Sequence, residues 1–150
     1  MIALKFGGTS LGDAARFKTA ASIVQSRRGR APIVVASAMG GATNDLLRAA
    51  REAASHRESG ALAILDALAA RHLATADELG VLETRVDGLP GPVGAYLAAR
   101  FVEARERLRG VAMLAELTDR TSDAIASTGE LASRPRGPRR GRRSSMPARS

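Results

Sequence analysis

Residues 2–10 read Ile-Ala-Leu-Lys-Phe-Gly-Gly-Thr-Ser. A short apolar run that stops at two glycines is the pattern of a buried strand ending in a tight turn. Gly12-Asp13 then supplies a turn and a helix N-cap. Phe17, Ala21 and Val24 come next at i, i+4 and i+7, one face of a helix. Arg27 to Arg30 closes that helix with positive charge and a glycine, both favourable at a C-terminus. Pro32 opens a second run, Ile33-Val34-Val35-Ala36, again too apolar to alternate. Two buried strands joined by one helix predict a parallel βαβ unit. The fold class is therefore α/β: the βαβ start of an open, mainly parallel sheet with helices on its faces.

Helical periods dominate the chain from residue 43 onward. Thr43 is expected to cap a helix that turns Leu46, Leu47, Ala50 and Ala54 inward. Residues 61–79 form another helix, with Leu62, Leu65, Leu68 and Ala69 on its face. Asp87-Gly88-Leu89-Pro90-Gly91-Pro92 is the strongest breaker in the chain. Beyond it, Leu97, Phe101, Ala104, Leu108, Val111 and Ala115 make an apolar stripe, with Gly110 as a candidate interruption. Thr118 to Thr121 reads as a turn, and Asp123 to Ser133 as a helix with a break near Gly129. There is no internal repeat. Residues 134–150 hold seven Arg, no acid and no hydrophobic period, so they are expected to be a disordered tail.

Composition narrows the function classes. The chain has 150 residues, enough for one compact domain. Its net charge of +8 belongs to the tail, because without it 16 basic residues face 15 acidic ones. With no Cys there are no disulfides, thiolate metal sites or Cys nucleophiles, and a reducing cytoplasm is expected. His56 and His72 are too few for a histidine-built metal site. His56 sits in a charged, solvated stretch, whereas His72 follows Leu65 and Leu68 on an apolar face and reads as a packing residue. No apolar run is long enough to span a membrane, and the N-terminus does not read as a signal peptide. Aromatics at 3% disfavour a stacking platform for single-stranded nucleic acid.

Three loops could carry chemistry. Lys5 sits near the carboxyl end of the first strand, where open α/β sheets bind ligands. Gly7 and Gly8 admit close backbone approach, Thr9 and Ser10 add hydroxyls, and the next helix offers its positive end. Together they suit a phosphate, although the lysine precedes the glycines and this is no Walker A loop. The same letters also serve a Gly-Gly turn beside a solvated lysine. Ser37-Ala38-Met39-Gly40-Gly41-Ala42-Thr43-Asn44 occupies the equivalent place after the second strand, so both loops are expected to open on one sheet edge. Ser37 and Thr43 offer hydroxyls there; a plain strand-to-helix turn is the other reading. Finally, Glu130 in Ser127-Thr128-Gly129-Glu130-Leu131 suits a ligand ammonium, or else complements the dipole of a helix entrance.

KFGGTS, then VVASAMGGATN, then STGELAS, in this order, resemble the aspartate kinases of the amino-acid kinase family over residues 1 to about 133. The resemblance implies transfer of the ATP γ-phosphoryl group to the β-carboxylate of L-aspartate, the first step toward lysine, threonine and methionine. It implies that Lys5 bridges the attacking carboxylate and the phosphoryl group, with Gly7, Gly8, Thr9 and Ser10 against the phosphates. Ser37 and Thr43 would hold the aspartate, and Glu130 its α-ammonium. Mg²⁺ would arrive with ATP. A cytoplasmic homo-oligomer with no membrane or specific nucleic-acid partner is the corresponding expectation.

Family members are several-fold longer than the matched segment. The chain is thus expected to carry only the first portion of a kinase domain, an incomplete amino-acid kinase-like sheet. Its Arg/Pro/Gly tail has the composition of an out-of-frame reading of GC-rich DNA. A truncated or frameshifted fragment with little activity of its own is expected. Other readings are a glutamate or acetylglutamate kinase relative, a basic-tailed nucleic-acid-binding protein, and a non-catalytic partner of an intact kinase. Deleting residues 134–150 separates the second of these, since phosphate contact by the arginines would vanish with them.

Overall fold

A computed structural model describes residues 1–133; the expected disordered tail, residues 134–150, lies outside the described residues. Strand β1 (Ile2–Phe6) leads through a short 3-10 turn (Gly8–Leu11) into helix α1 (Ala14–Ser26), and strand β2 (Pro32–Ala36) comes after it. The strands pair in parallel, Ile2 opposite Pro32 through Phe6 opposite Ala36. The predicted βαβ unit is therefore present. Asp13 caps α1 as expected, its carboxylate accepting from the Arg16 amide at 2.9 Å. The buried face of α1 is shifted by one residue: Ala20, with the partly covered Phe17 and Val24, packs on Leu4, Phe6, Leu11 and Ala36, while Ala21 is exposed.

The two-stranded sheet is less buried than its letters predict. In β1, Phe6 is buried and Ile2 and Leu4 partly so, while Ala3 and Lys5 are exposed. In β2, Ile33, Val34 and Val35 remain 50%, 45% and 45% exposed. A run this apolar belongs to a sheet covered on both faces. Among the described residues that cover is missing, as expected of an incomplete α/β sheet.

The main core lies in four later helices: α2 (Ala42–Ala54), α3 (Glu58–Glu78), α4 (Val93–Leu114) and α5 (Asp119–Ser133). Leu46, Leu65, Leu108 and Ile125 are the largest fully buried side chains, one from each helix. Burying each contributes roughly 1.5–3 kcal/mol. Ala42, Ala49, Ala50 and Ala53 are all 0% exposed, so α2 can lie close to its neighbours. No helix among the described residues is long and apolar enough to cross a membrane.

Several expected boundaries move. Gly41, at φ +78°, is the N-cap of α2, and Thr43 lies inside the first turn. The left-handed φ favours glycine over a β-branched residue, which explains the displacement. Helix α3 starts three residues earlier than expected, at Glu58. Gly110 does not interrupt α4, and Ala115 adopts a left-handed conformation just past its end instead of extending the stripe. The turn at Thr118 to Thr121 is the start of α5: the Thr118 hydroxyl accepts from the Thr121 amide at 3.1 Å. Helix α5 then runs unbroken through Gly129.

Candidate functional site

Both small-residue loops leave the same end of the parallel strands, because Lys5 pairs with Val35 and Phe6 with Ala36. The Phe6 carbonyl accepts from the Ser37 amide at 3.0 Å, which extends the pairing into the loops. Beyond that point the loops touch backbone to backbone. A Cβ on Gly8 would lie 3.2 Å from the Ala38 carbonyl oxygen, and one on Gly40 would lie 3.0 Å from the Gly8 oxygen. These two glycines are therefore required by close approach, independent of any ligand. The expectation that the lysine-glycine turn and the loop near residue 40 meet at one sheet edge is met at Gly8.

Three recesses take in the candidate residues. Lys5, Thr9 and Ser10 line the first, about 430 Å³, together with α1 residues. Gly8, Ser37, Thr43 and Asn44 line the second, about 110 Å³. Thr43 also borders the third, about 210 Å³, with Asp123, Ser127 and Glu130. Thus Gly8 joins the first turn to the second recess, and Thr43 joins the second to the third. Lys5 and Glu130 stand in different recesses, and Gly7 lines none of the three.

The positive end of α1 does not face the first recess as expected. The 3-10 turn intervenes, and the Asp13 carboxylate takes a first-turn amide of the helix. A cation the sequence did not single out lines this recess instead. Arg16 Nη1 donates to the Thr9 carbonyl at 2.7 Å, and Arg16 Nε lies 3.4 Å from Asp13. The Asp13–Arg16 spacing of three on a helix was the available signal. Lys5 and Arg16 thus give the recess two cations beside the hydroxyls of Thr9, Ser10 and Thr19.

Glu130 is not at a helix entrance; it lies well inside α5, three turns past its start. The stabilising role of a first-turn glutamate therefore does not apply to it. Glu130 is exposed, shares its recess with Asp123, and neither is ion-paired among the described residues. Two carboxylates and hydroxyls without a cation suit a small ammonium group.

The segment around Glu130 also holds the second loop in place, which the letters did not reveal. Ser133 Oγ accepts from the Met39 amide at 3.0 Å and donates to the Gly129 carbonyl at 3.1 Å. Gly129 lets α5 approach: a Cβ there would lie 3.2 Å from Ala38 Cβ and 3.4 Å from both Ala42 Cβ and Leu46 Cδ1. Among the described residues no group of three or more His, Cys, Asp or Glu could hold a metal ion.

Both histidines sit as the sequence implied. His56 is exposed. His72 is buried against Phe101, ring centroids 5.2 Å apart in an edge contact. Burial pushes its imidazole below the ordinary value of 6.5, and neighbouring Arg71 pushes the same way, against the Leu68 carbonyl.

The chain matches the amino acid kinase family over residues 1–134. It is 36% identical over 132 residues to aspartokinase 1, chloroplastic, of Arabidopsis thaliana, covering 87% of this chain and 21% of that protein. Aspartokinase 2, chloroplastic, of the same plant is 35% identical over 136 residues, covering 87% and 22%. The bifunctional aspartokinase/homoserine dehydrogenase 1, chloroplastic, of Zea mays is 30% identical over 127 residues, covering 85% and 13%. The chain thus spans about a fifth of the length of the two Arabidopsis relatives. The matched residues include all three loops and every helix that positions them, and on that match the chain belongs to the amino acid kinase family.

Proposed function

We propose that this chain carries the first portion of an aspartate kinase catalytic domain, and that the reaction its residues serve is ATP plus L-aspartate to 4-phospho-L-aspartate plus ADP. One observation carries the reading: the backbone junction of Gly8 with Ala38 and Gly40, which sets a lysine-bearing turn beside a hydroxyl-bearing loop. Phosphoryl transfer asks a protein for positioning and charge neutralisation more than covalent chemistry. Lys5, a compact point charge, neutralises the transferring phosphoryl group and orients the attacking carboxylate. Gly7, Gly8, Thr9 and Ser10 lie against the phosphates. Ser37 and Thr43 hold the aspartate, and Glu130 takes its α-ammonium. Mg²⁺ comes with the nucleotide phosphates.

The chain alone turns over little. The exposed Ile33, Val34 and Val35 leave the sheet uncovered, so the recesses exclude water poorly and their charges act through a high dielectric. The test is aspartate-dependent hydroxamate formation by two proteins. One is the 150-residue chain; the other is a chimera in which residues 1–133 replace the matching segment of Arabidopsis aspartokinase 1. The chimera is expected to be active, and its Lys5→Ala variant to lose about a hundredfold or more, as for removal of one preorganised donor. An active chimera indifferent to Lys5→Ala would overturn the assignment of that lysine. Robust turnover by the 150-residue chain would overturn the claim of incompleteness.

A further inference from the structure

We infer that Arg16 is a positioning residue: its guanidinium clasps the turn over residues 8–12 and sets the first recess in the shape that takes a polyphosphate. The inference rests on the phosphate role proposed above for Gly8, Thr9 and Ser10, and adds to it the residue that fixes their turn.

Arg16 reaches back from the first turn of α1. Its Nη1 donates to the Thr9 carbonyl at 2.7 Å, seven residues earlier in the chain. Asp13 orients it twice, accepting from the Arg16 amide at 2.9 Å and lying 3.4 Å from Nε. On the way the guanidinium crosses Gly12: a Cβ there would lie 3.0 Å from Nη1 and 3.6 Å from Arg16 Cδ. Gly12 has φ −78° and ψ −28°, ordinary helical geometry open to any residue. Its backbone therefore does not call for glycine; the arginine lying over it does. The second loop reaches the same glycine, since a Cβ on Gly40 would lie 3.4 Å from Gly12 Cα. Arg16 thus ties down the segment against which the second loop packs.

The consequence of the clasp is geometric. The Arg16 and Asp13 side chains are 56% and 57% exposed, and an ion pair so solvated contributes little to stability. An anion site, in contrast, depends on donors held in place before the ligand arrives. Arg16 fixes the turn that carries the Thr9 and Ser10 hydroxyls into the recess. It also occupies the Thr9 carbonyl oxygen, whose partial negative charge would otherwise repel a phosphate.

The ¹⁵N-labelled 150-residue chain is titrated with inorganic triphosphate, read at the amides of residues 8–10 of the folded protein. Arg16→Gln removes the clasp with its charge; Gly12→Val keeps the charge and puts methyl groups where the guanidinium lies. Each should weaken triphosphate about fivefold, the worth of one hydrogen bond. The double variant should be no weaker than Arg16→Gln, because both changes break the same contact. Arg16→Lys should recover part of the loss. If Gly12→Val does not fold, Gly12→Ala, which already crowds Nη1, takes its place. A merely structural Arg16 would lower the melting temperature and leave these affinities unchanged, and a direct ligand would be sensitive to Arg16→Gln alone. Either result, additive losses, or no saturable shift at residues 8–10 would overturn the inference. Lys5→Ala, titrated alongside, keeps the two readings apart. Affinity that depends on Lys5 but on neither Arg16 nor Gly12 overturns the clasp and leaves the kinase reading standing.

Discussion

Replacing Gly129 by Ala tests the placement of α5, and with it the position of Glu130. In an open helix interior this exchange stabilises by roughly 0.5–1 kcal/mol, because Ala loses less conformational entropy on folding. Gly110 in α4 provides that reference: it is exposed, and a Cβ there meets nothing within 4 Å. At Gly129 the new methyl would sit 3.2 Å from Ala38 Cβ and 3.4 Å from Ala42 Cβ. Neither neighbour can rotate away, since a Cβ moves only with its backbone. Leu46 Cδ1, also at 3.4 Å, belongs to a side chain that is 0% exposed and has nowhere to go. Overpacking of this kind costs about 1–3 kcal/mol. After the helix gain, Gly129→Ala should destabilise by roughly 0.5–2 kcal/mol. Gly110→Ala should stabilise by about 0.5–1 kcal/mol. Urea unfolding followed by far-ultraviolet circular dichroism on the 150-residue chain reads both. At about 2–4 °C per kcal/mol for a chain of this size, the two variants should melt on opposite sides of the parent. If Gly129→Ala stabilises as much as Gly110→Ala, α5 does not lie against α2 and the second loop, and the third recess has no basis.

Three further outcomes rest on the same geometry. Gly40→Ala places a methyl 3.0 Å from the Gly8 carbonyl oxygen, a backbone atom, and should cost about 1–3 kcal/mol in urea unfolding while shifting the amides of residues 7–10. Ser133→Ala removes the acceptor of the Met39 amide; that amide should exchange faster with solvent, and stability should fall by about 1 kcal/mol. His72 gives a pH dependence whose sign is fixed. Its pKa is lowered by folding, so the unfolded chain binds the proton more readily and stability rises with pH over that interval. The contribution is complete above about 6.5 and declines as pH falls toward the lowered native value, with a slope of at most about 1.4 kcal/mol per pH unit. His72→Phe should flatten the melting temperature as pH falls below about 6.5.

The βαβ start was legible because strand, turn, cap and helix each announce themselves locally. Ile2–Phe6, Asp13 and Pro32–Ala36 fall where their letters put them. What the letters could not give depends on tertiary approach. Thr43 is a good capping residue, yet the left-handed turn at Gly41 takes the cap because the chain must reverse tightly there. Gly129 looks like a helix break, and is instead a contact glycine whose partners lie more than eighty positions earlier in the chain. The same supposed break hides that Glu130 lies far from the start of its helix. Arg16 was invisible as a contributor to the first recess until the 3-10 turn brought the Thr9 carbonyl to its guanidinium. The apolar letters of β2 predicted burial that the described residues do not provide, a mismatch that points to a cover supplied by more chain than these helices contain.

The central claim is that the two loops form one substrate-binding edge, and amide resonances of the ¹⁵N-labelled 150-residue chain test it most directly. Inorganic triphosphate with Mg²⁺ should perturb residues 7–10 with Lys5, and L-aspartate should perturb residues 37–43 with Glu130. Each ligand should also shift Gly8 and Gly40, where the loops touch. Perturbations scattered over the surface arginines, or confined to one loop with the other silent for both ligands, would contradict the account.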